Sequence, residues 1–144
     1  MTNEVIKKLS EAALDVREKA YCPYSGFAVG AALLAKSGEI YTGVNIENAA
    51  FTPTNCAERT AFFTAIAKGE RDFVAVAIAG GKAGKEPEDF CAPCGVCRQV
   101  MREFCGDAFV IILAKPGEEK VYTLKDLLPQ SFSPRDVLGE KAKR

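Results

Sequence analysis

Apolar residues between Asn3 and Ala20 fall at Val5, Ile6, Leu9, Ala12, Ala13, Val16 and Ala20, a spacing that lines them along one helical face. The pattern predicts an amphipathic helix over Asn3–Ala20, with Thr2 or Asn3 able to cap its start. Tyr21-Cys22-Pro23-Tyr24-Ser25-Gly26 should break it into a loop, because proline and glycine do not continue a helix cheaply. Phe27–Ala35 is an apolar run of mostly small residues, Lys36-Ser37-Gly38-Glu39 a turn, and Ile40–Asn45 a second strand-like run. Together they predict an antiparallel hairpin. Asn48–Asn55 is polar and contains Pro53, whereas Cys56–Lys68 has no breaker and stops before Gly69, so a second helix is expected there. Its apolar residues Ala57, Ala61, Phe62, Phe63, Ala65, Ile66 and Ala67 wrap most of the circumference, which implies burial on several sides, within the fold and against other subunits.

Phe73–Ala79 and Phe109–Ala114 are continuous apolar runs without alternation, as inner strands covered on both faces require. Cys94–Phe104 reads as a third helix between them, and Gly80–Pro93 as a flexible loop leading into it. Lys120–Leu124 is a candidate fifth strand, Lys125–Leu128 a helical turn, and Lys141–Arg144 a disordered tail. Strand-helix-strand units imply right-handed crossovers and a partly parallel sheet, hence an α/β fold. With 144 residues and no internal repeat, residues 1–144 are expected to form one domain around one core.

Composition narrows the partners. Hydrophobic residues at 48% and charged residues at 26% describe a globular chain, neither disordered nor membrane-spanning. The 19 basic and 19 acidic residues cancel, so no overall field draws phosphate backbones or anionic lipid, and no nucleic-acid or membrane partner is expected. Glu4, Lys7, Lys8, Glu11 and Asp15 interrupt any signal-peptide core, which makes a cytoplasmic location the expectation. Six cysteines in a chain unmarked for export point to metal binding or catalysis before disulfides. The chain has no histidine, so a zinc site must use thiolates and carboxylates, and Ser-His or Cys-His catalytic pairs are excluded.

Two segments concentrate the chemistry: Asn55-Cys56-Ala57-Glu58-Arg59 and Ala92-Pro93-Cys94-Gly95-Val96-Cys97-Arg98. Each lies where a loop enters a predicted helix, and a helix N-terminus favours the thiolates that a metal needs. Cys94 and Cys97, three apart, can face one point on a first turn, and Cys56 can reach it from the other helix. Three sulfurs leave zinc one ligand short of tetrahedral, the arrangement of a catalytic site that keeps a water. Glu58 is better placed to touch that water than to replace it. Arg59, with Arg98 as a second candidate, could donate hydrogen bonds to the sulfurs and withdraw charge from them. Cys22, Cys91 and Cys105 read as ordinary thiols, Cys91 being near enough in sequence to Cys94 to imitate a ligand.

Cys-Ala-Glu-Arg-Thr-Ala at Cys56–Ala61, with Pro-Cys-Gly-Val-Cys-Arg-Gln-Val at Pro93–Val100, resembles the two-part zinc signature of the small homotetrameric cytidine deaminases. Tyr21–Ser25, Phe27 with Val29–Leu33, Gly43–Ala49 and Leu127–Pro129 extend the resemblance from Tyr21 to Pro129. It implies a three-layer α/β/α sandwich around a mixed five-stranded sheet, one Zn²⁺ per subunit held by Cys56, Cys94 and Cys97, and a homotetramer. It also implies hydrolytic deamination of cytidine or deoxycytidine in pyrimidine salvage. In that chemistry Glu58 takes a proton from the zinc-held water that attacks C4, then protonates N3 and helps ammonia leave. By the same resemblance Asn45 and Glu47 hold the ribose 3′-hydroxyl, Phe27 flanks the base, and the backbone of Ala57 contacts the pyrimidine. Phe51 stands where relatives often have tyrosine near a subunit boundary, and Phe132 matches an aromatic that reaches a neighbouring site. Two other readings stay open: a blasticidin-S-type deaminase, against which Asn45–Ala49 argues, and a zinc-stabilised interaction module without catalysis.

Overall fold

The computed structural model describes residues 1–142. Helix α1 spans Asn3–Val16, with the Thr2 hydroxyl accepting from the Val5 amide at 3.2 Å. It ends four residues short of expectation, and Arg17–Lys19 tightens into a 3₁₀ turn. Strands β1 (Phe27–Ala35) and β2 (Ile40–Val44) form the expected hairpin. Helix α2 covers Ala57–Ala67, β3 Phe73–Lys82, α3 Gly95–Phe104, β4 Val110–Lys115 and β5 Glu118–Thr123. Short helices α4 (Leu124–Leu127) and α5 (Pro134–Leu138) follow, and a 3₁₀ turn covers Gly139–Lys141. Lys141 therefore lies in a turn and not in a disordered tail, while residues 143–144 of that expected tail fall outside the described residues.

The sheet runs in the order β2-β1-β3-β4-β5, parallel only between β3 and β4. Side chains alternate along each strand, so Ala32, Ala75, Ala77 and Ala79 face α1 through Leu9 and Ala13. Ala31, Leu33, Val76, Ile78 and Ile111 face α2 and α3. The result is the three-layer α/β/α sandwich with a mixed five-stranded sheet. Alanine on the α1 side admits close approach of the helix, and Gly30 closes it further, since a Cβ there would strike the Ala13 carbonyl and the Val16 side chain.

On the opposite face Phe62 of α2 is fully buried, its ring 5.0 Å from that of Phe73, 6.2 Å from Phe104 and 6.0 Å from Phe109. Burying such a ring contributes about 2–3 kcal/mol and fixes the separation of α2 and α3. Gly43 sets the height of α2 over β2, because any side chain there would overlap the backbone at Ala57 and Ala61. The core thus fixes the height of α2 over the sheet and its packing against α3.

Strand β3 continues three residues beyond the expected Ala79. Gly80, Gly81 and Lys82 pair with Val29, Ala28 and Phe27, so the glycines extend the sheet where the sequence suggests a loop. Strand β5 begins earlier than expected, at Glu118. Its charged, exposed residues suit the edge of a sheet.

Candidate metal centre

Cys56 is the N-cap of α2, Cys94 is the N-cap of α3, and Cys97 sits on the first turn of α3. No side chain caps either helix, so free amide hydrogens and the positive dipole end face the sulfurs. The three Sγ atoms all lie within 4.8 Å of one another, and those of Cys56 and Cys94 are 3.8 Å apart. Tetrahedral zinc with bonds of about 2.3 Å needs sulfurs about 3.8 Å apart, so the donor set fits one such ion with little movement. Among the described residues this is the one cluster of three metal-ligating atoms, and neither Cys91 nor Glu58 joins it. Cys97 is buried and Cys94 exposed, which leaves the centre open on one side.

The Arg59 guanidinium donates from Nη2 to Cys56 Sγ at 3.1 Å. Burial by itself would lower its pKa, but the bonds to Cys56 and Cys97 outweigh that and hold it above its usual value. Its Nε is buried without a partner. Arg98, the second candidate for this contact, turns elsewhere: Nε donates to the Pro93 carbonyl at 2.8 Å and Nη1 to the Leu127 carbonyl at 2.7 Å. It braces the loop before Cys94 against the end of α4. Between the sulfurs, the hydrogen bond from the Cys97 thiol lowers the pKa of Cys56, with Arg59 adding to the effect, and the same pairing raises Cys97.

Glu58 follows Cys56 by two residues and is only 4% exposed. Burial pushes its carboxyl up to about 7, against a hydrogen bond from its own backbone, and the neighbouring Cys56 charge adds to the rise. A carboxyl with a pKa near neutrality beside the three sulfurs can both hold and release a proton at ordinary pH. Ala57, fully buried, occupies the first position of α2 between Cys56 and Glu58.

Asn45 and Glu47 are drawn to the same end of the sheet by a small set of backbone ties. Ile46 bridges Tyr21 in parallel and Asn55 in antiparallel fashion, and Asn55 immediately precedes Cys56. The Asn45 side chain accepts from the Val29 amide at 2.9 Å and donates to the Phe27 carbonyl at 2.8 Å. One Glu47 oxygen accepts from the Tyr24 and Ser25 amides at 2.9 and 3.1 Å, and the other from the Ser25 hydroxyl at 2.5 Å. These bonds, the Ser25 hydroxyl first, keep the Glu47 carboxyl below its ordinary pKa and therefore ionised. Each retains capacity for a ligand, a second Nδ2 hydrogen on Asn45 and further lone pairs on Glu47.

Phe27 opens β1 and is half-exposed, its ring edge close to the bare backbone of Gly80 beside Cys91. Phe51 and Phe132 are exposed, at 69% and 64%. Phe51 adopts φ of 62°, a left-handed conformation costly for a large side chain, and packs edge-on against Tyr24 at 6.0 Å. The Phe132 carbonyl accepts from Gln99 of α3 at 2.9 Å.

Sequence reasoning missed Arg17 and the neighbourhood of Cys91. Leu9, Ala13 and Arg17 recur every four residues, so a cation on the apolar stripe of α1 was the available signal. Nothing in the sequence marked Cys91 as a neighbour of Phe27.

Residues 3–113 match the family model described as the cytidine and deoxycytidylate deaminase zinc-binding region. A cytidine deaminase of Sporosarcina psychrophila is 47% identical over 133 residues, covering 92% of this chain and 94% of that protein. The crystal structure of a cytidine deaminase from Burkholderia pseudomallei superposes with a TM-score of 0.80 at 45% identity, over 92% of this chain and 100% of its own. A blasticidin-S deaminase of Bacillus cereus is more distant, 32% identical over 108 residues, covering 73% of this chain and 76% of that protein.

Proposed function

The chain belongs to the cytidine and deoxycytidylate deaminase family, and on that premise we propose that it hydrolyses the C4 amine of cytidine and deoxycytidine. The products are uridine or deoxyuridine and ammonia. The observation that carries this reading is the three-sulfur cluster fitted to one zinc with a buried carboxyl near neutrality two residues from its first ligand.

Held by Cys56, Cys94 and Cys97, zinc supplies the Lewis acidity that makes water a nucleophile near pH 7. Glu58 is the proton carrier: it accepts one proton from the attacking water and delivers it to N3 of the base, then takes the second from the hydroxyl now on C4 and gives it to the departing amine as the C4 carbonyl forms. Its burial matters here, because an ordinary carboxyl would be too weak a base and would donate too rarely at neutral pH. Arg59 draws charge from Cys56 and Cys97, and the two helix N-termini act in the same direction, offsetting the electron richness of three thiolates.

Phe27 flanks the base, the Ala57 backbone contacts the pyrimidine, and Asn45 and Glu47 take the ribose 3′-hydroxyl with the hydrogen-bonding capacity left to them. The exposed Phe51 and Phe132, together with Phe63 exposed on α2, support contact between copies of the chain. We infer a homotetramer in which these rings lie at subunit boundaries. Among the described residues no helix is long and apolar enough to cross a membrane. A cytoplasmic enzyme is the reading consistent with cysteines that form no disulfide among the described residues.

The blasticidin reading has the Bacillus cereus relative in its favour, at lower identity than the cytidine deaminases. The braced Asn45 and Glu47 favour a nucleoside. An absorbance assay of cytidine loss on zinc-loaded wild type and Glu58→Gln, with elemental analysis, separates the possibilities. Wild type should turn over cytidine, and Glu58→Gln should keep zinc while losing about 10²–10⁴-fold in kcat. Turnover of blasticidin S but not of cytidine would reassign the substrate, and an unaffected Glu58→Gln would reject the mechanism.

A further inference from the structure

Arg17 is 8% exposed, and among the described residues its guanidinium is paired with no carboxylate. Every bond it makes ends on a backbone carbonyl. Nε donates to Ala28 at 3.0 Å, Nη1 to Lys85 at 3.1 Å, and Nη2 to Gly81 at 3.1 Å and Lys82 at 3.4 Å. One planar fork thus joins β1, the end of β3 and the loop beyond it, a geometry that a lysine ammonium cannot reproduce. A buried cation without a counter-ion is costly, and burial lowers its pKa. A position that needed only packing would be served by an apolar side chain.

The joint lies beside the wall where Phe27 stands. Ala28 and Gly81 are register partners, as are Phe27 and Lys82, so three of the four carbonyls held by Arg17, all but that of Lys85, belong to the last two pairs of the β1–β3 ladder. One residue earlier in β3, Gly80 has no side chain, and a Cβ there would lie 2.7 Å from Cys91 Sγ and 3.1 Å from Phe27 Cε2. The ring and the thiol therefore both close on Gly80, and the loop that begins under Arg17 is the one that brings in Cys91 and then Cys94.

We propose that Arg17 is a positioning residue for substrate binding: by tying Ala28 to Gly81, Lys82 and Lys85 it holds the Phe27–Gly80–Cys91 wall at the spacing a pyrimidine needs. The inference rests on the nucleoside reading above. Arg17 touches neither the sulfurs nor Glu58, so its loss should act on binding that is equal in ground and transition states, and should leave the chemical step alone.

The test is steady-state kinetics with cytidine on zinc-loaded wild type, Arg17→Gln and Arg17→Lys, together with zinc content and thermal midpoint. Arg17→Gln should raise KM about tenfold with kcat within about twofold and one zinc retained per chain. Arg17→Lys, with charge but no fork, should restore KM only partly. If Arg17→Gln does not fold, Gly81→Ala probes the same joint, since its Cβ would meet Pro87 Cα at 3.0 Å and Arg17 Nη2 at 3.5 Å. The same rise in KM at constant kcat is expected there. A lowered thermal midpoint with KM unchanged would make Arg17 a purely structural residue and overturn the proposal, as would loss of zinc or an equal loss in kcat. Absence of cytidine turnover in wild type rejects the nucleoside reading and this inference with it, whereas normal wild-type turnover with unaltered variants rejects the inference alone.

Discussion

Replacing Gly43 with alanine puts a methyl group into the backbone of α2. Its Cβ would lie 2.5 Å from Ala61 N and 3.0 Å from Ala61 Cα, and closer still to the Ala57 carbonyl oxygen. Ordinary contact begins near 3.5 Å, so the helix and β2 must separate by about 1 Å. Overpacking of this kind costs about 1–3 kcal/mol, which lowers the thermal midpoint by roughly 3–10 °C in a chain of this size. The effect on turnover should be larger, because the displaced carbonyl belongs to Ala57, between Cys56 and Glu58. A shift of about 1 Å in a proton carrier costs about 10²-fold in rate. The assay is kcat/KM for cytidine in zinc-saturated enzyme beside a melting curve, and the expected result is a hundredfold loss of order from a modest loss of stability. β2 is an edge strand, so it could instead move outward and leave α2 in place. Activity within about twofold of wild type, with the thermal midpoint lowered, would show that it does, and would refute the claim that Gly43 sets the position of the site.

Two further outcomes follow from the charges. In metal-stripped protein the Glu58 carboxyl has a pKa of about 7 against 4.5 when unfolded, so its contribution is full below 4.5 and lost as pH rises through 7. The loss amounts to at most about 3 kcal/mol. Denaturant titrations of both stripped proteins should therefore find Glu58→Gln gaining on wild type from pH 4.5 to 7, and a difference that does not vary with pH contradicts the assignment. Arg59→Gln removes the charged donor at 3.1 Å from Cys56, so chelator competition should show zinc held more weakly and kcat should fall, each by about 10–100-fold. Unchanged metal affinity and rate would mean that the guanidinium only packs.

The parts of this molecule written in local chemistry are readable in the sequence itself. Helices α2 and α3 begin within one residue of expectation, because two of the cysteines that mark the motif occupy the N-cap positions. The apolar runs of β3 and β4 required burial on both faces, and the three layers follow from that. What escaped depends on contacts distant in sequence. α1 gives way at Arg17 because that side chain is committed to carbonyls more than sixty residues away as well as to β1, and no spacing rule foresees it. Gly80 and Gly81 resemble a loop in isolation and become strand only because β1 offers pairing partners. At the site, the sulfur trio was legible as a pattern, and so was Arg59. Arg98, the second candidate there, is claimed by the Pro93 and Leu127 carbonyls. The approach of Asn45 and Glu47 to Cys56 through Tyr21, Ile46 and Asn55 belongs to the tertiary fold alone.

The centre itself is tested most directly by X-ray absorption at the zinc edge of the loaded protein. Three sulfurs at about 2.3 Å and a single lighter atom at about 2.0 Å are predicted, with the same spectrum from Cys91→Ser. Four sulfurs, or a shell altered by that substitution, would close the position on which hydrolysis depends and contradict the account.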